Sequence, residues 1–310
     1  MKLFLKKIKF NVQLIRSLLN DERKKIIKHD VYSGGLIVYC GTKLNQAGFA
    51  HTMRSIATAF AFAKSENMRF NFHFEQSLPL SDHLLINEKF MYKDEYIYFP
   101  SNLFYIDQTI SERDNFLQLN KESINYIYGY FSSNYFKKRF DISSVIKEIF
   151  AFSPEIKSEV NFVTEKYKDF CACHIRVQNS LGEMVEDSRN SWYKKELSKQ
   201  EKRELMEDVK KAIAKLNAEK GSKVFVFSDS FILKDYLRSE KHVIIRDALE
   251  LGHVGYSQNK SASLKEALID FLLLSHSTCI FALVNKYLYP SGFPALAADY
   301  GGVEFKRLHI

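Results

Sequence analysis

Phe170 to Asn179 reads F-C-A-C-H-I-R-V-Q-N, an apolar strand that takes in His174 and Arg176 before it ends. Side chains alternate faces along a strand, so Cys171, Cys173, Ile175 and Val177 share one side and His174 and Arg176 share the other. The cysteine side reads as core. The arginine has two readings. It is a strand-edge cation facing water, or it is a planar fork of donors placed for a phosphate, which it would meet in two-point contact at any working pH.

Outward from this stretch, apolar runs alternate with helical patterns. Toward the C-terminus come a charged helix over Ser198–Glu219, a strand Val224–Phe227, a helix Phe231–Arg238, a short strand His242–Ile245, a helix from Leu264 and a strand Thr278–Val284. The pairs Ser198/Glu201 and Ser263/Glu266 have the S-x-x-E spacing of a capping box and mark two helix starts. Toward the N-terminus, Gly34–Cys40 reads as a buried strand. A glycine-bearing loop follows, then an Ala-rich helix Met53–Lys64 and a strand Arg69–Phe74. From about Asp82 to Phe140 the chain is aromatic and irregular, and a helix over Ile142–Phe150 closes this half. Such alternation predicts an α/β protein with parallel sheets.

The chain has 310 residues, 46% of them hydrophobic, enough for one large or two medium domains. No apolar run reaches the ~18 residues of a membrane span, and Lys6, Lys7 and Lys9 interrupt any signal-peptide pattern, so a cytoplasmic protein is expected. All four cysteines lie in apolar, strand-like runs, and C-A-C-H has no second ligand pair at zinc spacing. Residues 1–30 hold nine Lys or Arg against three Asp or Glu, six of the eight net positive charges. The nearly neutral remainder argues against a nucleic-acid-binding body. In that segment Leu5, Ile8, Val12, Ile15 and Leu19 form one helical stripe. This basic amphipathic helix packs on the body of the protein or docks on an anionic inner membrane face.

Ligands of parallel sheets bind at the carboxyl ends of the strands. Val224–Phe227 runs into Ser228-Asp229-Ser230, suited either to a phosphate or ribose or to plain helix capping. Ser275-His276-Ser277 is a second polar stretch at a strand, and Asp270 and Ser277 share a helix face. No D-x-D occurs, so the usual acidic clamp for a metal-bound nucleotide is missing and side chains must neutralise any diphosphate.

Five stretches in order give these pieces a pattern. They are the Asn45-Gln46 loop with its Ala-rich helix, G-Y-F-S-S-N-Y-F at Gly129–Phe136, H-I-R at His174–Arg176, V-F-V-F-S-D-S ending at Ser230, and D-F-L-L-L-S at Asp270–Ser275. Together they resemble the bacterial α-1,2-fucosyltransferases, within the α-1,2, α-1,6 and protein O-fucosyltransferase superfamily. The resemblance implies a GT-B type fold, with two Rossmann-like domains facing across a cleft behind the N-terminal amphipathic helix. The expected boundaries are 1–30 for the helix, 31–165 for the acceptor side and 166–310 for the nucleotide-sugar side. It implies a metal-independent, inverting transfer of fucose from GDP-fucose to a hydroxyl of an O-antigen, capsule or lipooligosaccharide, with no bound cofactor.

In this reading Arg176 binds the β-phosphate and His174 shapes its pocket. Asn179, Ser228, Asp229, Ser230, Asp270, Ser277 and Thr278 line the nucleotide site. His51, Glu183, Glu186 and Asp187 are candidates for the general base. Three departures stand out: Asn179 replaces the family's Asp, Thr42 and Leu44 replace loop glycines, and only Ser291-Gly292-Phe293 resembles the family's Asn-Ser-Ser-Phe. They leave open the same fold with another nucleotide sugar, or a non-catalytic glycan-binding or scaffold protein.

Overall fold

The computed structural model describes residues 25–27, 35–41, 49–74, 80–90, 96–98, 103–106, 119, 124–129, 141–183, 195–247 and 260–310. The chain divides into two units, Met1–Ala151 and Phe152–Ile310.

In the first unit the strands are β1 (Lys25–Ile27), β2 (Leu36–Gly41), β3 (Arg69–Phe74), β4 (Leu84–Ile86), β5 (Tyr96–Tyr98), β6 (Leu103–Ile106) and β7 (Ile124–Gly129). Four of them form a parallel sheet in the order β3-β2-β7-β6, and β1 pairs in parallel with β5. Helix α1 (Phe49–Ser65) is apolar nearly all round, with Ile56, Ala57, Ala59 and Ala61 fully buried, as an Ala-rich helix packed on a sheet must be. Phe60 meets Phe70 and Phe90 with ring centroids 5.4 and 5.1 Å apart. Helix α2 (Ile142–Ile149) is capped by Asp141, whose carboxylate accepts from the Ser143 N–H at 3.0 Å. Glu148 on α2 pairs with Lys64 at 2.9 Å and Lys89 at 3.5 Å. The chain leaves this unit through β8 (Phe150–Phe152).

The second unit adds α3 (Pro154–Lys166), β9 (Phe170–Ile175), α4 (Lys199–Lys220), β10 (Lys223–Ser228), α5 (Phe231–Leu237), β11 (Val243–Ile245), α6 (Lys260–Ser275), β12 (Cys279–Val284), α7 (Phe293–Gly301) and β13 (Glu304–His309). Its sheet is wholly parallel, in the order β11-β10-β9-β12-β13. The chain winds outward from β9 through β10 to β11, then returns past β9 to β12 and β13, so the order reverses between β9 and β12. Cys171, Cys173 and Ile175 pack with Leu205, Val209, Ile213 and Leu216 of α4 and Leu233 and Leu237 of α5. On the other face Phe170 meets Phe225 at 5.2 Å, and His174 meets Phe293 of α7 at 5.9 Å. Helices α6 and α7 meet so closely that a Cβ on Gly301 would lie 2.2 Å from the Ser275 carbonyl oxygen.

Several expectations shift. The boundary falls at 151/152 rather than 165/166 because α3 belongs to the second unit, where Glu155 pairs with Lys265 at 2.5 Å and Glu159 with Arg246 at 3.3 Å. Ser263 and Glu266 do not begin a helix: α6 already runs from Lys260, and Glu266 pairs with Arg246 at 2.5 Å. The Ser198–Glu201 box is present, with both reciprocal bonds. Strands β4 to β7 form inside the stretch read as irregular, and α3, α7 and β13 were not anticipated. The 1–30 helix lies outside the described residues apart from Lys25–Ile27, which is strand.

Candidate functional site at the carboxyl edge of the second sheet

Strand register builds the site. Ile175 pairs with Ser228, so the next residues, Arg176 and Asp229, leave adjacent strands side by side. Asp229 Oδ1 accepts from the Val177 N–H at 2.7 Å, and Oδ2 accepts from the Gln178 N–H at 2.9 Å. Oδ2 also lies 2.8 Å from Arg176 Nη1, in a pair whose side chains are only 12% and 6% exposed. One carboxylate therefore fixes the backbone after β9 and the guanidinium that leaves it. Gln178 is held at φ 54°, a left-handed conformation uncommon for a side-chain-bearing residue. In the segment that follows β12, the Tyr289 N–H donates to the Arg176 carbonyl at 2.8 Å, and the Tyr287 carbonyl accepts from Ser180 Oγ at 2.8 Å. These bonds join the β9 and β12 exits at the point where strand order reverses, the place where doubly wound sheets bind ligands.

The arginine is accommodated in this strand by a carboxylate that the fold itself supplies. Sequence reasoning gave Asp229 to the nucleotide, whereas its oxygens are engaged by Arg176 and by two backbone donors. Ser228 Oγ accepts from the Ser230 N–H at 3.3 Å, and Ser230 Oγ caps α5 by accepting from the Leu233 N–H at 3.0 Å. Glu183 completes this cap. It accepts from Ser230 Oγ and, through Oε1, from the Ile232 N–H at 2.9 Å. Glu183 therefore ties the loop after β9 to α5 rather than standing free as a base, and the first turn of α5 keeps its donors for its own cap. Gly182, at φ 83°, gives that loop its turn, where a Cβ would meet Glu196 Oε1 at 2.5 Å.

Asp270 lies on α6 and binds Arg246, the residue after β11, at 2.7 Å. His174 is a neutral imidazole: burial, reinforced by the Arg176 charge, pushes its pKa down to about 3. Asn179 closes the turn after β9, its carbonyl accepting from the Gly182 N–H at 2.8 Å.

Ser277 and Thr278 correct the sequence reading most clearly. They precede β12, so they lie at the amino edge of the sheet. Both the Thr278 N–H and Oγ1 donate to the carbonyl of Phe170, the first residue of β9, at 3.0 and 3.1 Å. At ~3.3 Å per residue, the strand places them about 20 Å from Arg176. In the first unit, His51 occupies the opening turn of α1, where partial burial and then the Arg54 charge hold its pKa below the ordinary imidazole value. Asp187, Glu186, Asn45, Gln46, Thr42 and Leu44 lie outside the described residues. The residues that sequence reasoning passed over are Gln178 and Arg246. A basic residue directly after a strand was the available signal for Arg246.

Two α/β units built on parallel sheets define the class: this is a GT-B type fold. No protein-family model matches the sequence, and no curated protein matches it. Solved structures do match. The crystal structure of NodZ α-1,6-fucosyltransferase soaked with GDP-fucose is similar with a TM-score of 0.54 at 15% identity, covering 86% of this chain and 92% of that one. Se-Met fucosyltransferase NodZ from Bradyrhizobium gives 0.53 at 14%, over 84% and 90%. A mutant of Arabidopsis thaliana FUT1 in complex with GDP gives 0.54 at 10%, over 93% and 72%. At such identities the likeness is one of fold.

Proposed function

We propose that this protein is a glycosyltransferase that moves fucose from GDP-fucose to a hydroxyl of a surface glycan, with inversion and without a metal ion. The observation that carries the reading is Arg176, a guanidinium braced by a buried carboxylate at the switch point of a doubly wound sheet. When the sugar–phosphate bond breaks, negative charge grows on the leaving diphosphate. A cation held in place there stabilises the transition state more than the ground state, because no reorganisation is needed as the charge develops. Asp229 supplies that rigidity, while His174, Asn179 and Ser228 line the same edge.

The acceptor hydroxyl must lose a proton to a base. His51, whose pKa is held below the ordinary imidazole value, is a proposed base; Asp187 and Glu186 are the alternatives. An α-1,2 linkage follows the sequence resemblance. A cytoplasmic enzyme held at the inner membrane face through residues 1–30 follows the charge pattern; no helix among the described residues is long and apolar enough to cross a membrane. The donor is supported by neighbours whose structures hold GDP-fucose or GDP.

Calorimetric titration with GDP, UDP and CDP, followed by a GDP-release assay with GDP-fucose in EDTA, tests this reading. GDP should bind best, and release should continue in EDTA. Strict dependence on an added divalent ion would contradict the metal-free mechanism.

A further inference from the structure

Gln178 follows β9 at the carboxyl edge of the second sheet, and it burdens the fold in two independent ways. Its backbone is held at φ 54°, in the left-handed region. Among the described residues that carry a side chain, only Asn67 shares a positive φ, and asparagine enters that region readily through local hydrogen bonds that the longer glutamine does not make. Its side chain is also shut away. Gln178 is 1% exposed, and both its amide nitrogen and its amide oxygen are buried without a hydrogen-bond partner. Glycine would remove the backbone strain, and methionine, of similar shape, would remove the unpaired groups. A strained and unsatisfied residue at the point where strand order reverses serves binding rather than stability.

The chemistry of the amide limits what it can bind. It donates through Nε2 and accepts through Oε1. A phosphate only accepts and a guanidinium only donates, so either would leave half of the amide unpaired. Two neighbouring hydroxyls do both, one donating to Oε1 while the other accepts from Nε2. In a nucleoside diphosphate sugar such diols occur on the ribose and on the hexose. The hexose is the one joined to the β-phosphate, the group assigned to Arg176 two residues earlier in the chain. The backbone beneath the amide is fixed, because the Gln178 N–H donates to Asp229 Oδ2 at 2.9 Å, and the same oxygen lies 2.8 Å from Arg176 Nη1.

We infer that Gln178 binds neighbouring hydroxyls of the transferred sugar, beside the diphosphate held by Arg176. The amide reaches them by rotation about its own side-chain bonds, which exchanges two unpaired buried groups for paired ones. The ligand thus draws on a cost already present in the fold. The inference rests on the proposed use of a nucleotide sugar and names a residue that recognises its sugar.

The test is calorimetric titration of wild type, Gln178→Gly and Gln178→Met with GDP and with GDP-fucose, beside thermal melts of all three. Both variants should melt about 2–4 °C above wild type. Both should lose about 10-fold in affinity for GDP-fucose relative to their affinity for GDP. Gln178→Met keeps the bulk of the side chain should Gln178→Gly loosen the turn. An unchanged ratio of the two affinities would leave the amide to an internal water and overturn the inference. Equal losses toward GDP and GDP-fucose would assign Gln178 to the diphosphate and overturn it too, as would lower melting temperatures for both variants, which would make Gln178 a stabilising residue. Failure of wild type to bind GDP would instead overturn the proposed function, and the sugar contact with it.

Discussion

The two edges of the second sheet are both rich in serine, threonine and aspartate, yet they are bonded differently. At the amino edge each hydroxyl turns to a nearby carbonyl: Ser275 to Leu272, Ser277 to Leu274 and Thr278 to Phe170. Two of those bonds close one helical turn and the third joins neighbouring strands. At the carboxyl edge the bonds link distant parts of the chain. Asp229 reaches Arg176, Val177 and Gln178, Glu183 reaches Ser230, and Tyr289 reaches back to Arg176. Polar composition is thus no guide to a site. Strand direction, and bonds that fix one charged group from several sides, are better guides.

The largest expected effect separates the two members of the central pair. Asp229→Ala leaves a buried guanidinium and two backbone donors without their acceptor, and should cost about 3–5 kcal/mol of stability. Arg176→Ala leaves a carboxylate that still accepts two N–H bonds, so it should cost clearly less. Urea denaturation of both variants checks the order, and a reversed order would mean that Arg176, not Asp229, organises the edge.

Acid sharpens the comparison further. The His174 imidazole takes up a proton near pH 6.5 when unfolded but only near 3 when folded. Below 6.5 the unfolded state binds more protons, so stability falls as pH falls, by about 1.4 kcal/mol per unit until the folded pKa is reached. The difference in stability between wild type and His174→Asn, followed from pH 7 to 4, should shrink accordingly. A constant difference would mean that His174 is not held neutral.

The smallest effect belongs to the amino edge. Thr278→Val removes one hydroxyl bond to Phe170 and should cost about 1 kcal/mol in a thermal melt, with GDP affinity unchanged. A clear loss of GDP affinity would return the amino edge to the site.

Much of the second unit was legible because each strand there is a short apolar run between charged or capped helices. The alternation of Cys171, Cys173 and Ile175 placed one face in the core by period alone. The partner of Arg176 was hidden because Val177 and Asp229 are 52 residues apart and meet only through parallel register, although aligning Ile175 with Ser228 would have exposed it. Ser277 and Thr278 were misplaced because polarity beside a strand was read without its direction: they enter β12, whereas Ser228 and Asp229 leave β10. In the first unit, β7 was obscured by aromatic residues that hide a period of two, as in Asn125-Tyr126-Ile127-Tyr128.

The central claim is that Arg176, braced by Asp229, carries the charge of a departing nucleoside diphosphate. Turnover of GDP-fucose by folded Arg176→Ala, read as GDP released per enzyme at saturating donor and glycan acceptor, tests it most directly. A fall of about 10²- to 10³-fold, the scale expected when a preorganised transition-state contact is removed, is the predicted result. Release at the wild-type rate from a folded variant would contradict the claim.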